Sequence, residues 1–542
     1  MYTTEDIHTK EAYTFRNITE REIYEGILKL DSNKGPGTDE LDVKSLKQIS
    51  SIIAPHLNYL FNRSIKEGIY PNILKVAKCV PIFKGAPLDP SLPVNYRPIS
   101  ILTGINKVFE RLLHDQMSQY LESHDLLPNF QYGYRKGHNT SQAILDFTNS
   151  VTKALKQKLV AIAVFMDLSK AFDTVDINIL QKKLHNLGLS KQSIALIKSY
   201  MTDRKFCFQE NPHQQYKLNY GVPQGSILGP LLFIMYIHDM KQITRENRII
   251  VYADDTTVVI CGRNITEAKQ HCNDILERFY LYFSLNKLSI NASKTKYMTY
   301  KPNIKTTKNR KKLKELQTTP IEMNNTKLEE VTSIRFLGVI INKNLTWEDH
   351  KNHIFNKVSK TTGLLRKCRN FMDIKGRIKM YKTFVQPYFN YAIEVWGHTV
   401  RAESDILNKI QAKALRIIFD CQRSGDAWRH NNDRIDNITL LYQKTTLRQC
   451  YKQHMGLLPE GFTDSIMPKL NLQQLQNKIT RPSLNTMYNY EQHLHDTPFG
   501  KHCTNTWNNM TLEDKSIPYT LNKSNALSAI NKTIRTQKNK AF

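Results

Sequence analysis

The chain has 542 residues, and its 77 lysine and arginine residues exceed its 49 aspartate and glutamate residues, giving a net charge of +28. Its length predicts roughly three to four domains or subdomains, and its hydrophobic fraction of 40% argues against wholesale disorder. No apolar run approaches the ~20 residues that cross a bilayer, the N-terminus lacks a secretory pattern, and the 8 dispersed cysteines disfavour a disulfide scaffold or a zinc ribbon. These features favour a polyanionic partner, no membrane, and a nuclear or cytoplasmic location rather than secretion.

The first 150 residues alternate helical pattern with loop punctuation. Residues 33–40 predict a turn, with a candidate helix cap at Thr38 or Asp39. Apolar residues recur at helical spacing over residues 41–65. The proline-rich stretch 77–106 predicts short strands and loops.

A strand and a hairpin are predicted in the middle of the chain. Residues 159–165 (LVAIAVF) form a short apolar run with β-branched content, which is typical of a buried strand. Residues 248–261 read as two strands joined by a tight turn. Residues 177–200 and 268–285 have helical patterns.

Two later segments are strongly basic. Residues 301–316 hold seven lysines or arginines against one glutamate, which predicts an exposed basic loop or insertion. The pattern over residues 347–421 is mostly helical, and residues 351–382 hold ten lysines or arginines against one aspartate. The tail from about residue 450 is rich in Asn, Gln and Thr and is weakly periodic.

Three carboxylates stand at the ends of predicted strands. Asp167 directly follows the apolar run, and Asp254 and Asp255 lie at the turn of the predicted hairpin. Like charges side by side repel each other, and a divalent cation would compensate them. The alternative is structural: Asp167 as a strand-end helix cap, and the acid pair as an ordinary hairpin turn.

The two carboxylate positions are far apart in sequence. Asp167 and Asp254, 87 residues apart, meet only if their strands are neighbours in one sheet. Successive strand residues point to opposite faces, so only one residue of the acid pair should aim fully at a metal shared with Asp167. Oxygen donors of this kind suit Mg²⁺, and two such ions ~3.5–4 Å apart serve polymerases and nucleases.

The chain resembles the reverse transcriptases of non-LTR (LINE-like, Jockey-type) retrotransposons. The similarity covers roughly residues 20–400, and its motifs occur in the family's order. The motifs are NKGPGTDELDVKSLK (33–47), VPIFKG (80–85), NYRPISIL (95–102), KVFERLL (107–113), QYGYRKGHNT (131–140), VFMDLSKAFDTV (164–175), GVPQGSILGPLLFIMYIHD (221–239), YADD (252–255), SINASKTKYM (289–298) and FLGVII (336–341). YADD alone is a weak signal, but the ordered set is highly specific.

The resemblance implies an α+β fold of the right-hand polymerase type, with fingers, an antiparallel palm sheet and a helical thumb. Its expected divisions are an N-terminal segment with fingers at 1–155, a palm with fingers elements and the basic loop at 156–345, a thumb at 346–450, and an extension at 451–542.

The resemblance also implies roles for particular residues. Asp167 and Asp254 look like direct metal ligands and Asp255 like the third palm acid, around two Mg²⁺ ions. Asp173 is not carried over as a ligand and is expected to cap a helix or support the palm. Template and duplex contacts are implied for Arg135, Lys357, Lys360, Arg366 and Lys367.

Six further residues match positions that surround the incoming nucleotide in the family. Lys84 and Arg97 would hold the triphosphate, and Phe172 would reject a 2′-hydroxyl by steric clash. The others are Gln224 and Gly225 in a glycine-rich loop, and Lys294 near the leaving pyrophosphate. Without the resemblance they read as surface cations, a core phenylalanine, a plain turn and an exposed lysine.

RNA-directed DNA polymerisation is therefore the leading functional hypothesis, with an RNA template, a DNA primer and dNTPs as the substrates. The chain would copy element RNA in target-primed synthesis, and with no stretch resembling an endonuclease, the nick would come from an endonuclease in trans. The alternatives are a catalytically inactive nucleic-acid-binding protein, a maturase-like protein that folds an intron RNA, and a metal-dependent nuclease.

Overall fold

The computed structural model describes residues 12–454, except 86, 219, 303–319, 401–403 and 433. The α-helices are α1 (Glu20–Leu28), α2 (Val43–Gln48), α3 (Ser50–Glu67), α4 (Gly104–Ser123), α5 (Thr140–Lys156), α6 (Ile177–Asn186), α7 (Lys191–Met201), α8 (Leu228–Tyr236), α9 (Ile265–Leu285), α10 (Glu348–Cys368), α11 (Ile374–Phe384), α12 (Gln386–Asn390), α13 (Ile393–Trp396), α14 (Ile406–Phe419), α15 (Ser424–Asn431) and α16 (Ile438–His454). The strands are β1 (Val76–Phe83), β2 (Tyr96–Ile101), β3 (Val160–Met166), β4 (Leu168–Ser169), β5 (Arg204–Phe208), β6 (Asn211–Leu218), β7 (Arg248–Tyr252), β8 (Asp255–Gly262), β9 (Ser289–Ile290), β10 (Lys296–Tyr300), β11 (Glu322–Met323), β12 (Thr326–Lys327), β13 (Glu329–Glu330), β14 (Ser333–Phe336) and β15 (Val339–Asn342). The predicted mixture of helix and sheet is confirmed. In the described part of the chain, no helix has the length and apolar character needed to cross a membrane.

The buried centre is a five-stranded sheet in the order β13-β10-β3-β8-β7. The predicted apolar strand is β3, and every residue in it is buried. Its alternate side chains enter different cores: Ile162 and Val164 pack on one face of the sheet, and Ala163 and Phe165 pack on the other. A strand covered on both faces needs the continuous apolar run that the sequence shows. The predicted hairpin is confirmed as β7 and β8, which pair antiparallel.

Different helices contribute side chains to the two cores. The first core contains buried side chains of α1, α3, α4 and α6–α9. The second contains α5 and the helices from α10 onward, with Trp396 fully buried in it. The predicted helical region 347–421 is confirmed as α10–α14. Residues 303–316 of the predicted basic loop and the tail after residue 454 lie outside the described residues.

A second sheet of four strands has the order β2-β1-β5-β6. Strand β1 pairs antiparallel with β2, with Ile82 opposite Arg97, and parallel with β5. The backbone N–H of Ser100 in β2 donates to the carbonyl of Gln224 at 2.7 Å. The proline-rich segment therefore forms strands, as predicted, and reaches the glycine-rich loop.

Two local predictions are wrong. The segment predicted as helical over residues 177–200 is two helices, because Gly188 adopts a left-handed φ of 83° and Ser190 begins α7 with a side-chain cap. The cap predicted at Thr38 or Asp39 belongs instead to Asp42, which accepts from the Ser45 N–H at 2.9 Å. Glu40 has a left-handed φ of 55°, so a helix cannot run through the preceding turn.

Candidate active site

Strand pairing brings the three predicted metal-binding carboxylates to one edge of the central sheet. Strands β3 and β8 pair antiparallel with Met166 opposite Thr256. Continuing this register places Asp167 across from Asp255, and Asp254 lies in the tight turn that precedes β8. Residues 87 positions apart thus become neighbours because their strands are adjacent, as predicted.

The pKa shifts of the carboxylates show that they influence each other. Burial raises the pKa of Asp254, and the Asp167 carboxylate raises it further, while the positive charge of Arg97 lowers it. Loss of hydration, followed by repulsion from Asp254 and Asp167, raises the pKa of Asp255 to about 6. Like charges that crowd one another in this way are the condition that a bound cation relieves.

Lys294 lies beside the same carboxylates. Its Nζ is 3.4 Å from Oδ2 of Asp167, and its side chain is otherwise well exposed. The backbone fixes this contact, because the Asn291 N–H donates to the Asp167 carbonyl at 2.8 Å and β9 pairs with β4. The ammonium group can therefore reach an anion that binds at the carboxylates.

The donor set fits a hard divalent cation. All three side chains offer carboxylate oxygens, which Mg²⁺ prefers over nitrogen or sulfur donors. Mg²⁺ commonly takes only one or two ligands from the protein and the rest from water and phosphate. Within the described ranges, no three His, Cys, Asp or Glu side chains are already grouped closely enough to hold a metal ion.

The glycine-rich loop before α8 lies against the segment that follows Asp167. Gln224 donates from Nε2 to Oδ1 of Asp173 at 2.8 Å, so Asp173 supports this loop. Gly221 has a φ of 82°, and a Cβ on it would lie 2.5 Å from the Asp173 backbone. Gly225 has a φ of 109°, and a Cβ there would lie 2.7 Å from the Ser100 carbonyl. Both glycines are required by this close packing.

Phe172 lies between the first hydrophobic core and the carboxylates. Its ring packs against Phe233 of the first core, with ring centroids 4.7 Å apart. On its other side the exposed ring of Tyr134 meets it edge-on at 6.2 Å. Burial and the neighbouring charge of Asp254 raise the pKa of Tyr134, so this ring lies near the carboxylates. Tyr134 belongs to the QYGYRKGHNT motif but was not among the site residues predicted from the sequence.

Of the other cations predicted near the site, two are exposed and one is held by a hydrogen bond to the backbone. Lys84 and Arg97 are exposed on the hairpin of β1 and β2, and Lys84 Nζ donates to the Val94 carbonyl at 2.6 Å. The positive charge of Arg97 lowers the pKa of Asp254, so Arg97 lies within electrostatic range of that carboxylate. Arg135 is anchored, because its Nη1 donates to the Pro128 carbonyl at 2.7 Å.

Four predicted nucleic-acid contacts lie on α10. Its buried side includes Ile354, Val358 and Leu365, and its opposite side is exposed. A cavity of about 460 Å³ at the end of the helix is lined by basic side chains that include Arg369 and Arg416. The exposed predicted residues are Lys357, Lys360, Arg366 and Lys367.

Glu110, which was not predicted from the sequence, is a fully buried carboxylate beside the start of α8. Its Oε2 accepts from the N–H groups of Ile227 at 2.6 Å and Leu228 at 3.3 Å. Its Oε1 accepts from Asn106 at 2.8 Å and the Tyr200 hydroxyl at 3.1 Å. The signal was a charged residue on the apolar side of a helix within KVFERLL. Glu110 therefore fixes the end of the glycine-rich loop.

Comparison with known proteins agrees with this geometry. Residues 84–341, which contain all three carboxylates, match the reverse transcriptase (RNA-dependent DNA polymerase) family. The three carboxylates and the glycine-rich loop therefore lie within the segment that is similar to a reverse transcriptase domain.

The curated relatives show which type of reverse transcriptase this chain resembles. An RNA-directed DNA polymerase from the mobile element jockey of Drosophila funebris is 31% identical over 76% of this chain and 44% of the relative. The probable RNA-directed DNA polymerases from transposons X-element and BS of Drosophila melanogaster are 28% and 27% identical, over 85% and 74% of this chain and 51% and 44% of each relative. The chain thus resembles the reverse transcriptases of non-LTR retrotransposons of the jockey type, and it spans about half the length of these relatives.

Proposed function

We propose that this chain is an RNA-directed DNA polymerase that extends a primer 3′-hydroxyl with dNTPs on an RNA template. The observation that carries the proposal is the meeting of Asp167, Asp254 and Asp255 at the ends of paired strands. Their segment matches the reverse transcriptase family, and curated relatives along most of the chain carry the name of this activity.

The three carboxylates would hold two Mg²⁺ ions. When bound, the ions lower the pKa of the primer 3′-hydroxyl and neutralise the leaving pyrophosphate. The chain's own cations complement that charge. Lys294 contacts Asp167, and the charge of Arg97 acts on Asp254, so both would hold the triphosphate.

Residues around the carboxylates would orient and select the nucleotide. The ring of Phe172 packs against Phe233 of the first core. This packing would keep the ring from moving aside for a 2′-hydroxyl, so ribonucleotides would be excluded. Gly225 permits close approach of backbone beside Gln224, and Lys84 lies on the neighbouring hairpin. Arg135 would contact the template side.

The division into fingers, palm and thumb belongs to the same proposal. The four-stranded sheet would be part of the fingers, the central sheet the palm, and the helices from α10 onward the thumb that follows the primer–template duplex. Element RNA would be the template in target-primed synthesis, with the nick supplied by an endonuclease in trans and the reaction located in the nucleus or cytoplasm.

The deciding experiment is primer extension. Wild-type protein and Asp254→Asn are compared for dNTP incorporation on an RNA template with a DNA primer in Mg²⁺, and primer–template binding is measured in parallel. Extension by the wild type and its loss in the variant, with binding retained, is the expected result. Binding without extension in the wild-type protein would instead identify a nucleic-acid-binding protein that has lost catalysis.

A further inference from the structure

We propose that Gln131 is a positioning residue that holds the turn carrying Asp254 and Asp255 in its metal-binding conformation, an inference that rests on the proposed function. The side chain is fully buried beside this turn, at 0% exposure. Its hydrogen bonds in the described structure go to backbone groups, so its effect must pass through the backbone of the turn.

Gln131 binds both polar backbone groups of Ala253, the residue before Asp254. Its Oε1 accepts from the Ala253 N–H at 3.0 Å, and its Nε2 donates to the Ala253 carbonyl at 3.2 Å. The same Oε1 also accepts from the Gly133 N–H at 2.8 Å. A side-chain amide is the neutral group that supplies both a donor and an acceptor in this geometry.

Ala253 needs this support because its backbone is strained. Its φ is 60°, in the left-handed region that alanine rarely adopts. Such a conformation is energetically unfavourable for alanine and persists where its surroundings fix it. The direction in which the next residue, Asp254, leaves the turn depends on this conformation.

The segment around Gln131 follows the hairpin closely. The Val251 N–H donates to the Phe130 carbonyl, and the Val251 carbonyl accepts from the Tyr132 N–H, both at 2.8 Å. A Cβ on Gly133 would lie 2.5 Å from the Ala253 nitrogen, so only glycine permits this approach. Residues 130–133 thus bind the hairpin next to its turn, and the Gln131 side chain completes the contact.

The test compares Gln131→Met with Gln142→Met. Gln142 is also a buried glutamine, but its side chain caps α5 by accepting from the Asn139 N–H at 2.9 Å. Each full-length variant is measured for thermal stability, for kcat and KM of dNTP incorporation, for the Mg²⁺ concentration giving half-maximal rate, and for Mn²⁺ binding without nucleotide by electron paramagnetic resonance.

Gln131→Met should lower kcat about 10- to 100-fold and weaken Mn²⁺ binding about 10-fold, because residues that orient metal ligands affect both. The KM for dNTP should change little. Gln131→Met should also raise the Mg²⁺ requirement. Gln142→Met should lose comparable thermal stability and keep wild-type kcat and metal dependence. Equal kinetics and metal affinity in the two variants would assign Gln131 a merely structural role and overturn the proposal.

Gly133→Ala provides an independent variant should Gln131→Met not fold. Its added Cβ displaces Ala253 directly, so it should reproduce the low kcat and weak Mn²⁺ binding; wild-type values would contradict the proposal. If the wild-type protein extends no primer, the proposed function fails, while the Mn²⁺ titration still decides whether Gln131 positions the turn.

Discussion

The strand-end carboxylates and the exposed side of α10 are both charged, but the fold constrains them differently. Asp167 and Asp255 stand at the ends of paired strands. The charge of Asp167 raises the pKa of both Asp254 and Asp255. On α10, the cations Lys357 and Lys360 project from a helix whose opposite side is buried, and neither forms an ion pair within the described residues. The first group acts as a unit, and the second is a set of independent charges. Replacing one carboxylate should therefore abolish most of the activity, whereas replacing one cation on α10 should weaken nucleic-acid binding only in part.

The largest effect is expected from Asp167→Asn. Removing one of three coupled carboxylates should lower kcat on the order of 10³-fold, because the remaining groups cannot stabilise the developing charge alone. Single-turnover primer extension measures this loss. Asp176→Asn is the matched control, since Asp176 is buried but caps α6 and pairs with Lys287. A loss in the control as large as that in Asp167→Asn would show that the assay reports folding rather than the site.

Glu110→Gln should have the next largest effect. The substitution replaces one carboxylate oxygen with an NH2 group, so either the N–H groups of Ile227 and Leu228 at the start of α8 or the buried Asn106 amide loses its acceptor. We expect a loss of about 2–3 kcal/mol in the free energy of unfolding, measured by urea denaturation. Glu67→Gln, at an exposed pair with Arg63, should cost less than about 1 kcal/mol. Equal losses would mean that Glu110 does not support the loop.

Phe172→Val tests whether the site selects its nucleotide by shape. A smaller side chain should admit a 2′-hydroxyl and raise the ratio of ribonucleotide to deoxyribonucleotide incorporation about 10- to 100-fold. The ratio of kcat/KM values for rNTP and dNTP measures this. Phe279→Val provides a control, because Phe279 is buried in the first core on α9. An unchanged ratio in Phe172→Val would leave Phe172 as an ordinary core residue.

The sequence predicted the arrangement of the carboxylates because local patterns determine it. A run of seven apolar residues needs two covered faces, so β3 lies at the centre of the sheet with Asp167 directly after its end. The two apolar arms rich in β-branched residues likewise predicted that Asp254 lies at a turn. The chemistry of these residues followed from position, and their roles stay predictions until variants are measured.

The residues that support the site could not be predicted, because their roles depend on contacts between segments that are distant in sequence. The left-handed conformation of Ala253 is held by Gln131, 122 residues earlier in the chain, and no local pattern indicates it. Glu110 looks like an ordinary charged residue of α4 until α8 is placed against it, 117 residues later. Functional support of this kind depends on tertiary packing, which local propensity does not report.

The smallest effects are expected on α10. Lys357→Gln with Lys360→Gln should weaken primer–template binding several-fold without changing kcat, and the slope of log affinity against log salt should flatten by about 0.7–0.9 for each phosphate that the variant no longer neutralises. Fluorescence anisotropy across a salt series measures the slope. Lys327→Gln, at an exposed lysine of β12, is the control and should leave it unchanged. A double variant whose salt slope matches that of the control would show that α10 does not bind the duplex. In that case the charged side of α10 only faces solvent. The carboxylates and α10 would then differ because only the carboxylates take part in the reaction.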